Sequence, residues 1–263
     1  MISRIEKLVR ARLRRVIMVQ MLVGLMFCGT SSAQERYFSD VPDLSQRQSP
    51  AVLPGGGEAL CAPVAVSNSL VWLEGNSDQA YQLELARKLA GPEFMNTRLD
   101  SGTGVFGVLV GVSEYLRETG MAYRRLSYAG WRNVPNSFRY AMQPDLDWLL
   151  SGLHERSAVW LNLGWYFLNE DGLYQRRGGH WVTLVGYRDA SLMINDPGPW
   201  ADHIPGTQSV GFTTMEDGEL QTRNGSRHRV SVRGFMLLNE STPVPVIGDM
   251  TIVDGAVLLE LVR

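Results

Sequence analysis

The fold of this chain is decided by two neighbouring stretches in its second half. Residues 178–187 are Gly-Gly-His-Trp-Val-Thr-Leu-Val-Gly-Tyr, and residues 191–197 are Ser-Leu-Met-Ile-Asn-Asp-Pro. Each stretch is a short apolar run bounded by glycine or proline, which is typical of a buried β-strand. The two runs therefore predict adjacent antiparallel strands joined by a short turn. Such a pair would bring His180 and Asp196 to the same end of a sheet.

A cysteine earlier in the chain supplies a third reactive side chain. Cys61 follows the glycine run 55–57 and precedes residues 62–73, whose mostly apolar sequence predicts a buried helix. A helix N-terminus carries partial positive charge and unpaired N–H groups, which favour a thiolate and could stabilise an oxyanion. Cysteine, histidine and aspartate in this order predict a nucleophile, a general base and its orienting carboxylate. Taken singly, each residue also fits a structural role, and Asn195 remains an alternative orienting residue.

The rest of the chain predicts helices first and strands later. Helices are expected over about 78–89, 104–118 and 145–153, and strands over 158–163, 181–187, 191–195, 230–238 and 253–261. Asn224-Gly225 is a turn signal between the later strands. This order favours an α+β domain with an antiparallel sheet over alternating βαβ units. No linker divides the chain after the N-terminal segment.

Two apparent motifs are rejected. Residues 102–107 match G-x-G-x-x-G, but no strand precedes them and no acidic residue follows about 20 positions later. A closely packed helix start is expected there. His154, His203 and His228 lack metal-ligand spacing, so neither a metal site nor a cofactor is expected.

The N-terminal segment is typical of a secretory signal peptide. Residues 1–15 are rich in arginine and lysine, a short apolar run follows, and Ser31-Ser32-Ala33 offers small residues before a cut at Gln34. The prediction is a signal peptide over 1–33 and an exported domain over 34–263, periplasmic or secreted, without stable membrane insertion. A membrane anchor formed by an uncleaved signal is the alternative.

Net charge and cysteine count bear on the partners and on the chemistry expected of the protein. The chain has a net charge of −2, but residues 1–33 hold six of its 25 basic and one of its 27 acidic residues, which leaves −7 on the remainder. A surface this acidic disfavours nucleic acid as a partner. Because Cys28 would leave with the signal, Cys61 would be the single cysteine of the exported protein. A thiol without a disulfide partner is either buried and inert or retained for chemistry.

Several short motifs together resemble the C39-like cysteine peptidases, a family related to the domains that trim bacteriocin leader peptides. The motifs are Val41-Pro42-Asp43-Leu44-Ser45-Gln46, Cys61-Ala62-Pro63, Gly102-Thr103, Gly179-His180-Trp181-Val182-Thr183-Leu184-Val185-Gly186-Tyr187 and Ile194-Asn195-Asp196-Pro197. The resemblance spans about residues 41–200 and implies a papain-like fold. It also implies Cys61 as nucleophile, His180 as general base and acid, Asp196 as orienter and Gln46 as a donor in the oxyanion hole.

Two departures from the family pattern affect these expectations. Ala62 stands where the family usually has glycine, and Gln46 lies farther from Cys61 than is usual, which makes Gln48 a competitor for the oxyanion role. The expected function is hydrolysis of peptide or amide bonds in a peptide or protein substrate through a thioester. An acyl transferase or cell-wall amidase with the same triad, and a non-catalytic peptide-binding module, are the alternatives. Oligomeric state is left open.

Overall fold

The fold combines a few helices with one large sheet. The computed structural model describes residues 35–47, 52–198, 206–222, 228–239 and 249–262. The helices in these ranges are α1 (Cys61–Leu73), α2 (Gln79–Ala90), α3 (Val105–Thr119) and α4 (Leu146–Ser151), and a 3₁₀ turn spans Pro54–Gly57. None of these helices is long and apolar enough to cross a bilayer.

The sheet has eleven strands within the described residues. They are β1 (Arg36–Tyr37), β2 (Tyr123–Gly130), β3 (Arg139–Ala141), β4 (Ser157–Leu168), β5 (Tyr174–Arg188), β6 (Ser191–Asn195), β7 (Gln208–Thr214), β8 (Glu219–Gln221), β9 (Arg229–Ser231), β10 (Met236–Leu238) and β11 (Met250–Leu261). Most neighbours are antiparallel, and only β2–β3 and β5–β8 run parallel. Since β4 pairs with both β5 and β11, the path β11-β10-β7-β6-β5-β4 closes on itself.

Helix α1 lies against this sheet, as its apolar sequence predicts. Ten of its thirteen residues are buried. Two hydrogen bonds fasten it to the strands: Thr183 Oγ1 donates to the carbonyl of Ala65 at 2.7 Å, and Trp160 Nε1 donates to Ser69 Oγ at 3.1 Å. These contacts fix the helix that begins at Cys61 relative to the strand that carries His180.

Local sequence signals set most of the element boundaries. Asp78 accepts a hydrogen bond from the Ala80 N–H at 2.9 Å and so caps the start of α2. Gly120 ends α3 in the left-handed conformation that glycine adopts without strain. The β5–β6 hairpin turns through Asp189 and Ala190, which both have positive φ, as a type I′ turn requires.

The strands of the structure differ in two ways from those expected from the sequence. Strands β2 and β3 lie between the helices, so the order is less segregated than expected. The strand expected over 230–238 is two strands, because the chain turns at Gly234, where φ is +89°. The expected helix start after Gly102 is present at Val105. The signal peptide, Gln48, His203 and the Asn224-Gly225 turn lie outside the described residues.

Candidate active site

His180 and Asp196 meet at the edge of the β5–β6 pair. His180 marks the point where β5 passes from partly exposed residues into the core, and Asp196 directly follows β6. His180 Nε2 lies 2.5 Å from Asp196 Oδ1, and the same oxygen accepts the N–H of Gly198 at 2.7 Å. Both residues are at least 96% buried, since His180 is 4% exposed and Asp196 2%. The pair is therefore a buried imidazole–carboxylate contact.

Cys61 lies near the same imidazole, close enough to help raise the pKa of His180. Because Nε2 is engaged by Asp196, Nδ1 is the ring nitrogen that remains for an interaction with the sulfur. The cysteine is half-buried at the first position of α1. Pro63 has no N–H and the Val64 N–H bonds to the Leu60 carbonyl, so the amides of Cys61 and Ala62 are the donors at this helix start.

The surroundings of His180 favour its charged form. Burial lowers the pKa of His180, but the negative charge of Asp196, the hydrogen bond to it and the contact with Cys61 outweigh burial and raise that pKa above its usual value. An imidazolium placed between a sulfur atom and a carboxylate stabilises a thiolate by its charge.

Hydrogen bonds connect the segment 41–46 to the end of β6 and to the loop that follows it. The side-chain amide of Asn195 donates to the carbonyls of Val41 and Pro42 at 2.9 and 3.0 Å. The Gln46 N–H donates to the Pro197 carbonyl at 2.9 Å. These bonds assign Asn195 to holding this segment, while Asp196 contacts the histidine.

Asp43, in the same segment, is close enough to Asp196 to feel its charge. Burial and, to a smaller extent, the charge of Asp196 raise the pKa of Asp43 to about 7, while the hydrogen bond that its Oδ2 accepts from the Gly206 N–H at 2.7 Å acts in the opposite direction. Asp43 was part of a motif in the sequence, but its titration near neutral pH follows from burial that the sequence does not reveal.

Gln46 lies beside the loop that precedes Cys61. Its Nε2 donates to the carbonyls of Gly57 and Glu58 at 2.7 and 2.9 Å, so both amide protons are engaged in this conformation. Gly57 has φ +85°, and a Cβ there would stand 1.7 Å from the Gln46 carbonyl oxygen. Gln46 thus braces the loop, and donation to an oxyanion would require its amide to turn.

A cleft of about 440 Å³ opens beside the thiol. The residues lining it are Cys61, Ser101, Gly102, Thr103, Gly104, Val105, Phe106, Arg132, Asn133, Asn162, Arg176, Arg177, Gly178, Gly179 and Trp181. The cleft lies between the start of α3 and the outer part of β5, and it is in the size range of ligand pockets. Past Phe106 and Asn133 lies a second, more open hollow of about 500 Å³. The two cavities share Phe106 and Asn133 in their walls.

Gly178 and Gly179, which precede His180, are required by the packing of neighbouring side chains. A Cβ on Gly179 would stand 2.0 Å from Nη2 of Arg176, and one on Gly178 would stand 3.0 Å from the ring of Trp165. These glycines therefore make room for an arginine and an indole of the protein itself. The two glycines are evident in the sequence, whereas the side chains that fill the space beside them are not.

Three further residues at the site were not anticipated. Trp165 stacks on His180 with ring centroids 6.1 Å apart and an interplanar angle of 12°. Trp181 Nε1 donates to the Thr103 carbonyl at 3.0 Å and so joins β5 to the loop before α3. Asn162 lines the cleft from β4, and its only sequence signal is that it interrupts an apolar run.

The remaining expectations at the site concern Ala62 and metals. Ala62 is fully buried in the core formed by the helices and the sheet, and it does not line the cleft. Its methyl group therefore occupies no substrate space. In the described part of the chain, no group of three histidine, cysteine or acidic side chains is placed to hold a metal ion.

Comparison with known proteins gives only a loose structural likeness. No family model and no curated protein sequence matches this chain. A crystal structure to which it is similar is provisionally described as a C39-like peptidase from Bacillus anthracis. The two share 14% sequence identity at a TM-score of 0.38, over 67% of this chain and 88% of that one. This neighbour bears the name of the family that the sequence motifs resemble. We base the function on the geometry of the site and not on this likeness.

Proposed function

We propose that this chain is an exported cysteine hydrolase that cleaves peptide or amide bonds through Cys61, His180 and Asp196. The observation that carries the proposal is the position of one imidazole, which lies 2.5 Å from the Asp196 carboxylate and near enough to the Cys61 thiol for the two to interact. A thiol at a helix start, packed against a sheet that carries histidine and aspartate, also supports a papain-like arrangement of the C39-like kind.

The proposed reaction begins with the thiolate. Cys61 Sγ attacks the substrate carbonyl carbon, and the negative charge moves onto the carbonyl oxygen. The N–H groups at the start of α1 supply positive partial charge there, where an oxyanion forms next to the sulfur. Gln46 is the proposed side-chain donor, provided that its amide turns from the loop carbonyls toward the oxyanion.

His180 then carries the proton. The imidazolium gives its proton to the leaving amine, the carbon–nitrogen bond breaks, and an acyl thioester remains on Cys61. The neutral imidazole next removes a proton from a water molecule that attacks the thioester. Hydrolysis releases the acid product and restores the starting thiolate–imidazolium pair. Asp196 holds the ring throughout and stabilises its charged form.

A peptide-mixture digestion tests this proposal directly. The purified protein is incubated with a proteome-derived peptide mixture, and new termini are identified by mass spectrometry. We expect cleavage by the native chain and none by Cys61→Ala, because no covalent intermediate can form. His180→Ala should lose nearly as much activity, since the thiolate loses its partner and the leaving amine its acid. Asp189→Asn, at the exposed tip of the β5–β6 hairpin, is the matched control that should retain activity.

The alternatives give different results in the same experiment. Transfer of the acyl group to an added amine would indicate an acyl transferase, and cleavage of peptidoglycan but of no linear peptide would indicate a cell-wall amidase. Peptide binding that is the same in the native chain and in Cys61→Ala, with no cleavage in either, would indicate a binding module and would contradict the proposed hydrolase.

A further inference from the structure

The residues that line the cleft are richer in positive charge than the chain as a whole. Three arginines, Arg132, Arg176 and Arg177, line it, and its lining contains no aspartate or glutamate. This contrasts with the net charge of −2 of the whole chain. The excess of arginine is therefore a local property of the cleft and is not explained by the overall composition of the chain.

Two of these arginines already have acidic partners. Arg176 Nε lies 2.7 Å from Asp254 Oδ2, and Arg177 Nε lies 3.0 Å from Asp249 Oδ1. Asp254 is fully buried, so it holds the Arg176 guanidinium in place from behind the cleft. These two side chains are positioned cations whose charge is largely balanced.

Arg132 has no such partner. Across the described ranges, no carboxylate lies within 4.0 Å of its guanidinium. Its backbone is anchored, because the main-chain N–H donates to Tyr128 Oη at 3.2 Å and the main-chain carbonyl accepts from Arg139 Nη2 at 2.8 Å. The guanidinium lies 5.0 Å from the centre of the Trp131 ring, an attractive cation–π contact. A cation that has no acidic partner among the described residues, in the cleft that Cys61 also lines, is suited to bind an anion.

We propose that this cleft selects peptides that carry a carboxylate close to the bond attacked by Cys61, and that Arg132 binds that carboxylate. This inference rests on the proposed hydrolase function and names its substrate class. The carboxylate belongs either to an acidic side chain or to the C-terminus of the peptide. A guanidinium suits both, because its paired N–H donors match the two carboxylate oxygens.

Alkylation of Cys61 by two reagents of similar size tests the charge of the cleft without requiring turnover. Iodoacetate is anionic and iodoacetamide is neutral, and at one pH both meet the same thiol, so the ratio of their rates isolates the effect of charge. We expect Arg132→Gln to lower the iodoacetate-to-iodoacetamide ratio about 3- to 10-fold, the size that Coulomb's law gives for one nearby, partly solvated charge. Peptide mapping assigns the modification to Cys61.

Further variants of Arg132 and a control variant distinguish an effect of charge from a loss of folding. Arg132→Lys keeps the charge and should retain most of the ratio, whereas Arg132→Glu should lower it further than Arg132→Gln. Arg124→Gln removes an exposed arginine near the start of β2, the strand that precedes Arg132, and should leave the ratio unchanged. An unchanged ratio in Arg132→Gln and Arg132→Glu would overturn the assignment of Arg132.

The peptide digestion then separates the two carboxylate sources. Enrichment of aspartate or glutamate beside the cleaved bonds supports a side-chain carboxylate, and cleavage clustered near peptide C-termini supports the terminal one. Either enrichment should weaken in Arg132→Gln. Cleavage with neither enrichment overturns this inference and leaves the hydrolase intact. If no peptide is cleaved, the result contradicts the proposed hydrolase function, and the substrate class that depends on this function is then contradicted too.

Discussion

Asn195 and Asp196 are neighbours in the sequence, yet their side chains hold different parts of the structure. Asp196 Oδ1 contacts His180 at 2.5 Å, while Asn195 Nδ2 donates to the Val41 carbonyl at 2.9 Å. Asn195 is the last residue of β6, where successive side chains point to opposite faces of the sheet. The sequence left both residues open as the orienter of the histidine, and the structure gives the histidine contact to Asp196.

The first prediction separates these two residues by their effects. Asp196→Asn should lower kcat by up to about 10⁴-fold, by analogy with serine triads, because an amide permits the wrong imidazole tautomer. Asn195→Ala should instead lower the free energy of unfolding by about 1–3 kcal/mol, because two buried carbonyls lose their donor. Kinetics and denaturant unfolding of both variants check this. A silent Asp196→Asn together with an inactive, stable Asn195→Ala would make Asn195 the orienter.

The second prediction concerns the two roles of Gln46. Gln46→Ala should lower the free energy of unfolding by about 1–3 kcal/mol, because the Gly57 and Glu58 carbonyls lose a buried donor. The oxyanion hypothesis adds a loss of about 10²- to 10³-fold in kcat at a temperature where the variant is folded. Gln48→Ala should leave both quantities near their native values.

These two measurements are independent of each other. A destabilised Gln46→Ala variant with native kcat would restrict Gln46 to bracing the loop. A large kcat loss in Gln48→Ala, with Gln46→Ala active, would move the oxyanion role to Gln48. In either case the nucleophile and base would be unaffected.

The third prediction is a pH dependence that originates at Asp43. The pKa of this carboxyl is raised to about 7 in the folded protein, against about 3.9 in an unfolded chain. Between these values the folded state binds the proton and the unfolded state does not, so stability falls as pH rises. The contribution of Asp43 is fully present below about pH 3.9 and is lost as pH rises through about 7, with a slope approaching about 1.4 kcal/mol per pH unit.

Replacement of Asp43 by asparagine should remove this slope. An amide oxygen can still accept the Gly206 N–H but does not titrate. Urea unfolding at several pH values between 5 and 8 should therefore show a flatter profile for Asp43→Asn than for the native chain. The control Asp189→Asn should keep the native slope. Parallel profiles for Asp43→Asn and the native chain would contradict the raised pKa.

The fourth prediction tests the buried ion pair behind the cleft. Asp254 Oδ2 accepts from Arg176 Nε and from Tyr166 Oη, each at 2.7 Å. Asp254→Asn should destabilise the protein by about 3–5 kcal/mol, because it leaves a buried guanidinium without its counter-charge. Thermal and denaturant unfolding measure this loss. Glu84→Gln, which breaks an exposed pair with Arg87, should change stability by no more than about 0.5 kcal/mol, and a similarly small effect of Asp254→Asn would refute the prediction.

The fifth prediction concerns export. Residues 1–33 have a basic start, a short apolar run and small residues at the end, so the exported protein should begin at Gln34. N-terminal sequencing or intact-mass measurement of protein from the envelope or medium checks this. A full-length chain in the membrane fraction would instead support the uncleaved anchor.

Much of the site follows from local sequence signals. The apolar run after Cys61 predicted a buried helix, and the two runs around His180 and Asp196 predicted the antiparallel pair that the structure contains. Such signals act over a few residues: the period of apolar side chains, the caps of helices and the glycines of turns. They were sufficient to suggest that three distant residues share one site.

Contacts between distant segments had no comparable signal. Trp165, Asn162 and Arg132 reach the site from β4 and from the end of β2, and nothing in their local sequence ties them to Cys61. Short strands such as β3 and β8 were likewise missed, because three residues carry too little periodicity to identify a strand.

The sequence by itself determined the reactive groups and the elements that carry them, because helix starts, buried strands and turns depend on residues close together in the chain. Only the tertiary structure decided that the Gln46 amide braces a loop, that Asp196 and not Asn195 contacts the histidine, and that Arg132 has no acidic partner among the described residues. Gln46, Asp196 and Arg132 show the reason. A hydrogen bond or ion pair depends on ångström distances between residues far apart in sequence, and closure of the sheet sets those distances.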